Sequence, residues 1–167
     1  MTRSADPGGD PRTPHYLVDS SAWMEYLRRT GSRADAEVTS MVERQPPTAG
    51  VTEPVIMELL SGARNSDEFR AIDRLVKAMP LYQVHPEGDF MEAAALYGVL
   101  RDKGITIRSR IDCLIAAIAW RREATLVHAD ADFDRIASGY PVRVMSLTPR
   151  LAGWIVISSR GCVRPTP

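Results

Sequence analysis

The chain has 167 residues, 44% of them hydrophobic, which is enough for one domain with a real core and too few to favour two independent ones. Its 21 Lys and Arg balance 21 Asp and Glu, so no global field draws nucleic acid in, and any polyanion must be held by a local patch. The longest greasy segment, Ile111 to Trp120, includes Asp112 and falls well short of the roughly 20 residues that span a bilayer, so no membrane anchor is expected.

In chain order, the first fourteen residues carry Pro7, Pro11, Pro14 and Gly8-Gly9 without an apolar stretch. They predict a flexible leader over 1–14 and no secretory signal, which places the chain in the cytoplasm. Tyr16-Leu17-Val18 is a short apolar run of the kind found in a strand buried on both faces. Asp19-Ser20-Ser21 breaks it before a helix begins at Ala22. A second helix is expected over Ala34 to Glu43 behind Ser32, with Pro46-Pro47 ending it. Thr52 is placed as the N-cap of a third, which tolerates Pro54 in its first turn and closes at Gly62. The spacing of Phe69, Ile72, Leu75, Val76 and Met79 predicts an amphipathic helix from Asp67 to Met79, stopped by Pro80, and Leu81 to Val84 reads as a short strand. Residues 89–103 form the next helix, with Gly104 its terminator.

Ser109 precedes a helical stripe of Ile111, Leu114, Ile115 and Ile118, and Asp112 lies in the first turn, where the positive end of the helix favours a carboxylate. Thr125 to His128 is expected as a strand, Ala129 to Asp134 as the turn into a short helix, and Val142 to Met145 as the last strand. Strands alternating with helices predict an α/β domain whose central, mostly parallel sheet is covered on both faces and binds its ligand beyond the carboxyl ends of the strands. The tail from 150 to 167 holds apolar Trp154-Ile155-Val156-Ile157.

Four acids stand beside signals that bring them to that end of the sheet: Asp19, Glu58, Asp112 and Asp130. Carboxylates gathered there repel, so some must be protonated or a cation must sit among them, and oxygen-only ligands suit hard ions such as Mg²⁺ or Mn²⁺. Taken singly, each has an ordinary explanation: a turn residue for Asp19, a solvated helix residue for Glu58, a helix-dipole carboxylate for Asp112. Ser21 either orients Asp19 or caps the helix at Ala22. His15, His85 and His128 share no ligand spacing and read as structural or surface residues. Cys113 reads as a small core hydrophobe, and both it and Cys162 as reduced thiols. Positive charge at the rim is sought in Arg28, Arg29 and Arg33, and with more reason in Arg108 and Arg110 beside Asp112.

Four stretches, Leu17 to Trp23, Thr52 to Arg64, Ile107 to Ala119 and Leu126 to Ala137, together resemble the PIN-domain ribonucleases, and within them the VapC toxins of bacterial toxin-antitoxin pairs. The resemblance covers roughly residues 15 to 147, so a single PIN-like domain is set at 15–149. It implies a metal-dependent endoribonuclease that leaves a 5′-phosphate and a 3′-hydroxyl, works as a homodimer, and is silenced by a cognate antitoxin. By the same resemblance the catalytic quartet is Asp19, Glu58, Asp112 and Asp130, with Mg²⁺ or Mn²⁺ held by Asp19, Asp112 and Asp130. Asp132 is the second choice for the last position. Two other readings stay open: a PIN nuclease of RNA maturation without an antitoxin, and a catalytically silent PIN fold used as an interaction module.

Overall fold

The computed structural model describes residues 16–148, so the expected leader and tail lie outside the described residues. Four strands, β1 (Tyr16–Val18), β2 (Ala49–Gly50), β3 (Thr125–His128) and β4 (Val144–Ser146), stand in the order β2-β1-β3-β4. Every pairing is parallel: Leu17 lies opposite Gly50 on one side and Leu126 on the other, and Val127 lies opposite Met145. A central parallel strand is covered on both faces by crossover helices, and Leu17, Val18, Leu126 and Val127 are accordingly shut off from solvent. The expected α/β class with a mostly parallel sheet is therefore what the chain adopts.

Seven helices flank the described sheet: α1 (Ser20–Arg28), α2 (Arg33–Val42), α3 (Glu53–Ser61), α4 (Ser66–Lys77), α5 (Pro86–Asp102), α6 (Arg110–Arg121) and α7 (Ala131–Gly139). The path from β1 to β2 runs one way across the sheet, and the path from β3 to β4 runs the other. Because parallel crossovers are right-handed, α1 and α2 fall on one face and α7 on the opposite one, which makes the boundary between β1 and β3 a topological switch point. The carboxyl ends of β1 and β3 open there; Asp19 follows the first directly, and Asp130 follows the second after Ala129. The Asp19 backbone N–H still donates to the Val127 carbonyl at 2.9 Å, so this acid is fixed to the sheet before the chain turns away.

Local chemistry explains most helix starts. Ser32 accepts from the Asp35 N–H at 3.1 Å, Asn65 from Glu68 at 2.9 Å, and Ser109 from Ile111 at 3.2 Å, each satisfying a donor that the first turn leaves orphaned. Gly104, at φ +73°, ends the α5 segment in the left-handed conformation that glycine enters without cost. α6 is the most deeply buried helix: Cys113 to Ala119 are all core. It packs along α5, and the two are tied by Arg121, whose guanidinium holds both oxygens of the buried Asp89 at 2.6 and 2.8 Å and also reaches the Gln83 carbonyl at 2.8 Å.

Several expectations are corrected. The helix after β1 begins at Ser20, and its N-cap is Asp19. Thr52 is the N-cap of α3 as expected, with its hydroxyl donating to Glu53 Oε2 at 3.3 Å in place of a side-chain cap bond. Leu81 to Val84 is no strand: Leu81 makes a single parallel bridge to Val51, because the Glu53 carboxylate, 2.9 Å from the Val84 N–H, takes that donor instead. The last strand starts at Val144, two residues later than expected, since Val142 N–H turns to the Tyr140 carbonyl. β2 was not anticipated. It is only two residues long, and Gly50 is required there because a Cβ would meet the Tyr82 ring at 2.0 Å.

Candidate active site at the sheet switch point

Asp19 is 3% exposed, and two groups of Ser21 meet one of its oxygens: the backbone N–H at 2.8 Å and the hydroxyl at 2.5 Å. The same hydroxyl accepts from the Ala129 N–H at 3.0 Å, bridging the β1–α1 turn to the β3–α7 turn. Of the two readings of Ser21, orientation of Asp19 is therefore the one the structure supports. Burial pushes the Asp19 carboxyl up to about 6; the Ser21 hydrogen bonds pull it back down, and the nearby Glu58 charge raises it further.

Asp112 lies in the first turn of α6, as expected. Burial pushes its carboxyl up to about 7, and the charge of Asp19 adds to this, with smaller contributions from Asp130 and Asp132 opposed by the Ser109 hydroxyl. The four acids named from the sequence thus share one electrostatic neighbourhood: Asp19 feels Glu58, and Asp112 feels Asp19 and Asp130. Their side chains do not form a closed cage as they stand, for among the described residues no three His, Cys, Asp or Glu are grouped to hold a metal ion. The donor set nonetheless fits a hard divalent cation. It is made of oxygens alone, and burial with neighbouring negative charge opposes the ionisation of two of its members, which a cation relieves.

Asp130 and Asp132 divide sharply. Asp130 caps α7, accepting from the Asp132 N–H at 2.9 Å, and its side chain is 39% exposed. Asp132 is 1% exposed and fully engaged: Arg108 donates to one oxygen from Nε at 3.1 Å and from its backbone N–H at 3.3 Å, while Arg135 pairs with the other. Burial alone would raise the Asp132 carboxyl, but the hydrogen bonds and charge of Arg108, with Arg135, outweigh it and leave the group below the ordinary carboxylate range. Asp134 accepts from Ser146 Oγ at 3.1 Å. Of the pair weighed from the sequence, Asp130 is left partly exposed and Asp132 is enclosed; Asp134, at 44%, is exposed as well.

The arginines also separate. Arg28 and Arg29 stand at the far end of α1 from Asp19, about 13 Å away along a nine-residue helix. Arg110 lies over the Tyr97 ring at 5.2 Å, a cation–π contact. Arg108 alone of these is seen in contact with the acidic group, and its part in holding Asp132 was not anticipated. Arg135 is spaced three residues from Asp132 and was legible as a helical pair; the link to Arg108, 24 residues distant, had no local signal. His128 is buried against Phe133, with ring centroids 5.2 Å apart, and neither ring nitrogen has a hydrogen-bond partner among the described residues, in keeping with a structural role. Burial, with the charge of Asp112, pushes the Cys113 thiol up to about 11, which leaves it no nucleophile.

An acidic cluster at the switch point of a short parallel sheet defines a class, and the PIN-domain family model matches residues 16–139: the chain belongs to the PIN-domain family. Within that family its relatives are VapC ribonucleases. It is 46% identical over 121 residues to ribonuclease VapC11 of Mycobacterium tuberculosis and likewise to VapC ribonuclease Mb1587 of Mycobacterium bovis, in each case over 72% of this chain and 90% of the relative. In fold it resembles a chain of VapBC2 from Rickettsia felis, solved bound to a promoter DNA fragment, with a TM-score of 0.62 at 18% identity over 78% of this chain and 97% of that one.

Proposed function

We infer that this chain is the endoribonuclease toxin of a toxin-antitoxin pair, hydrolysing RNA phosphodiester bonds with Mg²⁺ or Mn²⁺ and neutralised by a cognate antitoxin. The observation that carries the reading is the gathering of Asp19 and Asp112 at the switch point, where burial opposes the ionisation of both, the Glu58 charge raises Asp19 and the Asp19 charge raises Asp112. The identity to VapC ribonucleases supports the reaction class, and the fold shared with a chain of the VapBC2 complex supports an antitoxin.

Asp19 and Asp112 are the residues to hold the ion, with Asp130 completing the ligand set. A bound divalent cation supplies acidification of water and neutralisation of charge on the scissile phosphate. Ser21 keeps Asp19 in one orientation. Glu58, half-buried on α3, either orients the site or accepts the proton lost by the attacking water. Rim arginines meet the RNA backbone. The antitoxin is expected to present a basic side chain, Arg by preference, to the same carboxylates and so to compete with metal. A homodimer belongs to the same reading; α5 leaves Phe90 (55% exposed), Met91 (73%) and Val99 (46%) facing outward as apolar surface for it.

Purified protein is expected to cleave RNA only with divalent metal, and Asp19→Asn and Asp112→Asn each to abolish cleavage while the protein stays folded. Undiminished cleavage in both variants refutes the assignment. Calorimetry that finds no Mg²⁺ or Mn²⁺ uptake but a tight protein partner favours the silent interaction module instead.

A further inference from the structure

Arg108 is anchored on one side and loose on the other. Its backbone N–H and Nε both hold Asp132, which is buried, while its side chain is 72% exposed and Nη2 lies 3.5 Å from Asp130 Oδ1, a longer and more open contact. Asp132 is also paired with Arg135, so two guanidinium charges meet one buried carboxylate. The surplus positive charge lies beside Asp130, and the charges of Asp130 and, less strongly, Asp112 act on Arg108.

We propose that Arg108 is a positioning residue and the built-in counter-cation of the acidic quartet: it holds Asp130 while no metal is bound and competes with divalent metal for that carboxylate. This rests on the reading of Asp130 as a metal ligand. The two halves of the contact differ in what can displace them. The grip on Asp132 is buried and charge-assisted at two donors, and breaking it leaves a carboxylate short of a partner in the interior. The contact with Asp130 is solvated and beyond ideal hydrogen-bond length, so an incoming ion displaces it at little cost. Arg108 then stays tethered through Nε beside the quartet, with N–H donors free in a planar fork that matches phosphate oxygens. One side chain thus raises the metal concentration at which the quartet loads and afterwards helps to seat the RNA.

Titration of the full chain with Mn²⁺ alone, followed calorimetrically, tests this. Arg108→Gln is expected to bind Mn²⁺ three- to tenfold more tightly than wild type, because a like charge beside the ligands is gone, and Arg108→Lys to stay near wild type. At saturating metal, Arg108→Gln is expected to raise KM for RNA with little change in kcat. Unchanged or weaker Mn²⁺ affinity in a folded Arg108→Gln protein overturns the inference while leaving the nuclease reading intact. A wild-type chain that takes up no Mn²⁺ and cleaves no RNA overturns the nuclease reading, and this inference with it. If Arg108→Gln fails to fold, the double variant Arg108→Gln/Asp132→Asn removes the buried charge left behind, and the same comparison is made against Asp132→Asn.

Discussion

The Ser21 hydroxyl donates to the Asp19 carboxylate at 2.5 Å and, from the same oxygen, accepts the Ala129 N–H at 3.0 Å. One small side chain thereby fixes the buried acid after β1 relative to the turn after β3. Ser21→Ala removes the hydroxyl from both partners but leaves the backbone bond of Ser21 to Asp19. Metal affinity and cleavage are expected to fall about 10- to 100-fold, the usual effect of losing a group that orients a ligand. Parallel measurement of Mn²⁺ binding and RNA cleavage checks this; full activity in the variant rules out an orienting role.

The pH dependence of stability follows from Asp19. Its folded carboxyl sits at about 6, above the unfolded value near 3.8, so the folded state binds the proton more tightly. Its stabilising contribution is therefore complete below about pH 4 and lost as the pH rises through 6. The difference is about 3 kcal/mol by linkage, and Asp112, raised to about 7, acts in the same direction. Without divalent metal, Asp19→Asn is expected to melt several degrees above wild type at pH 8 and to lose that advantage at pH 5. Thermal melts at the two pH values measure it directly.

Metal uptake carries the opposite sign. Ligand carboxylates must be ionised, so apparent Mn²⁺ affinity in wild type is expected to rise between pH 5.5 and 7.5 as Asp19 and Asp112 give up protons. Calorimetry in two buffers of different ionisation enthalpy reads the protons released. A flat affinity over that window contradicts the raised carboxyls.

Asp130 and Asp132 are expected to fail differently. Asp132→Ala removes the buried carboxylate that ties Arg108, ahead of α6, to α7, and leaves its space unfilled, so a melting temperature lowered by several degrees is expected. Asp130→Asn keeps an acceptor for the α7 cap, so stability is retained while metal binding and cleavage drop at least tenfold. Equal melting losses in the two variants contradict this division.

Asp89 and Arg121 test the scaffold apart from the chemistry. Asp89→Ala leaves Arg121 without the carboxylate that aligns it between α5 and α6, at a cost of about 3 kcal/mol. A melting temperature lower by about 6–12 °C is expected for a chain of this size, with cleavage per folded molecule unchanged at low temperature.

Much of this architecture was legible because its signals are short-range. The apolar run Tyr16 to Val18, the caps Ser32 and Ser109, the stop at Gly104 and the stripe through α6 each depend on residues within a few positions of one another, which fixes an element wherever it later packs. β2 escaped notice because two residues carry no periodicity; its place is set by the approach of Tyr82 to Gly50, a contact between different parts of the fold. Leu81 to Val84 misled for a related reason, since the Glu53 carboxylate claims the Val84 donor across 31 residues.

In the site, the chain alone determined which acids to consider and that two of them follow strands, since residue type and strand-to-turn order are written locally. Tertiary structure decided their surroundings. Ser21 reaches Ala129 across 108 residues, and Arg108 reaches Asp132 across 24, because the crossovers bring β1 beside β3 and seat the start of α6 against α7. Which carboxylate is buried between two arginines, and which stays partly exposed, follows from that juxtaposition: desolvation and hydrogen bonding act on a group according to what surrounds it in space, whatever lies beside it in sequence.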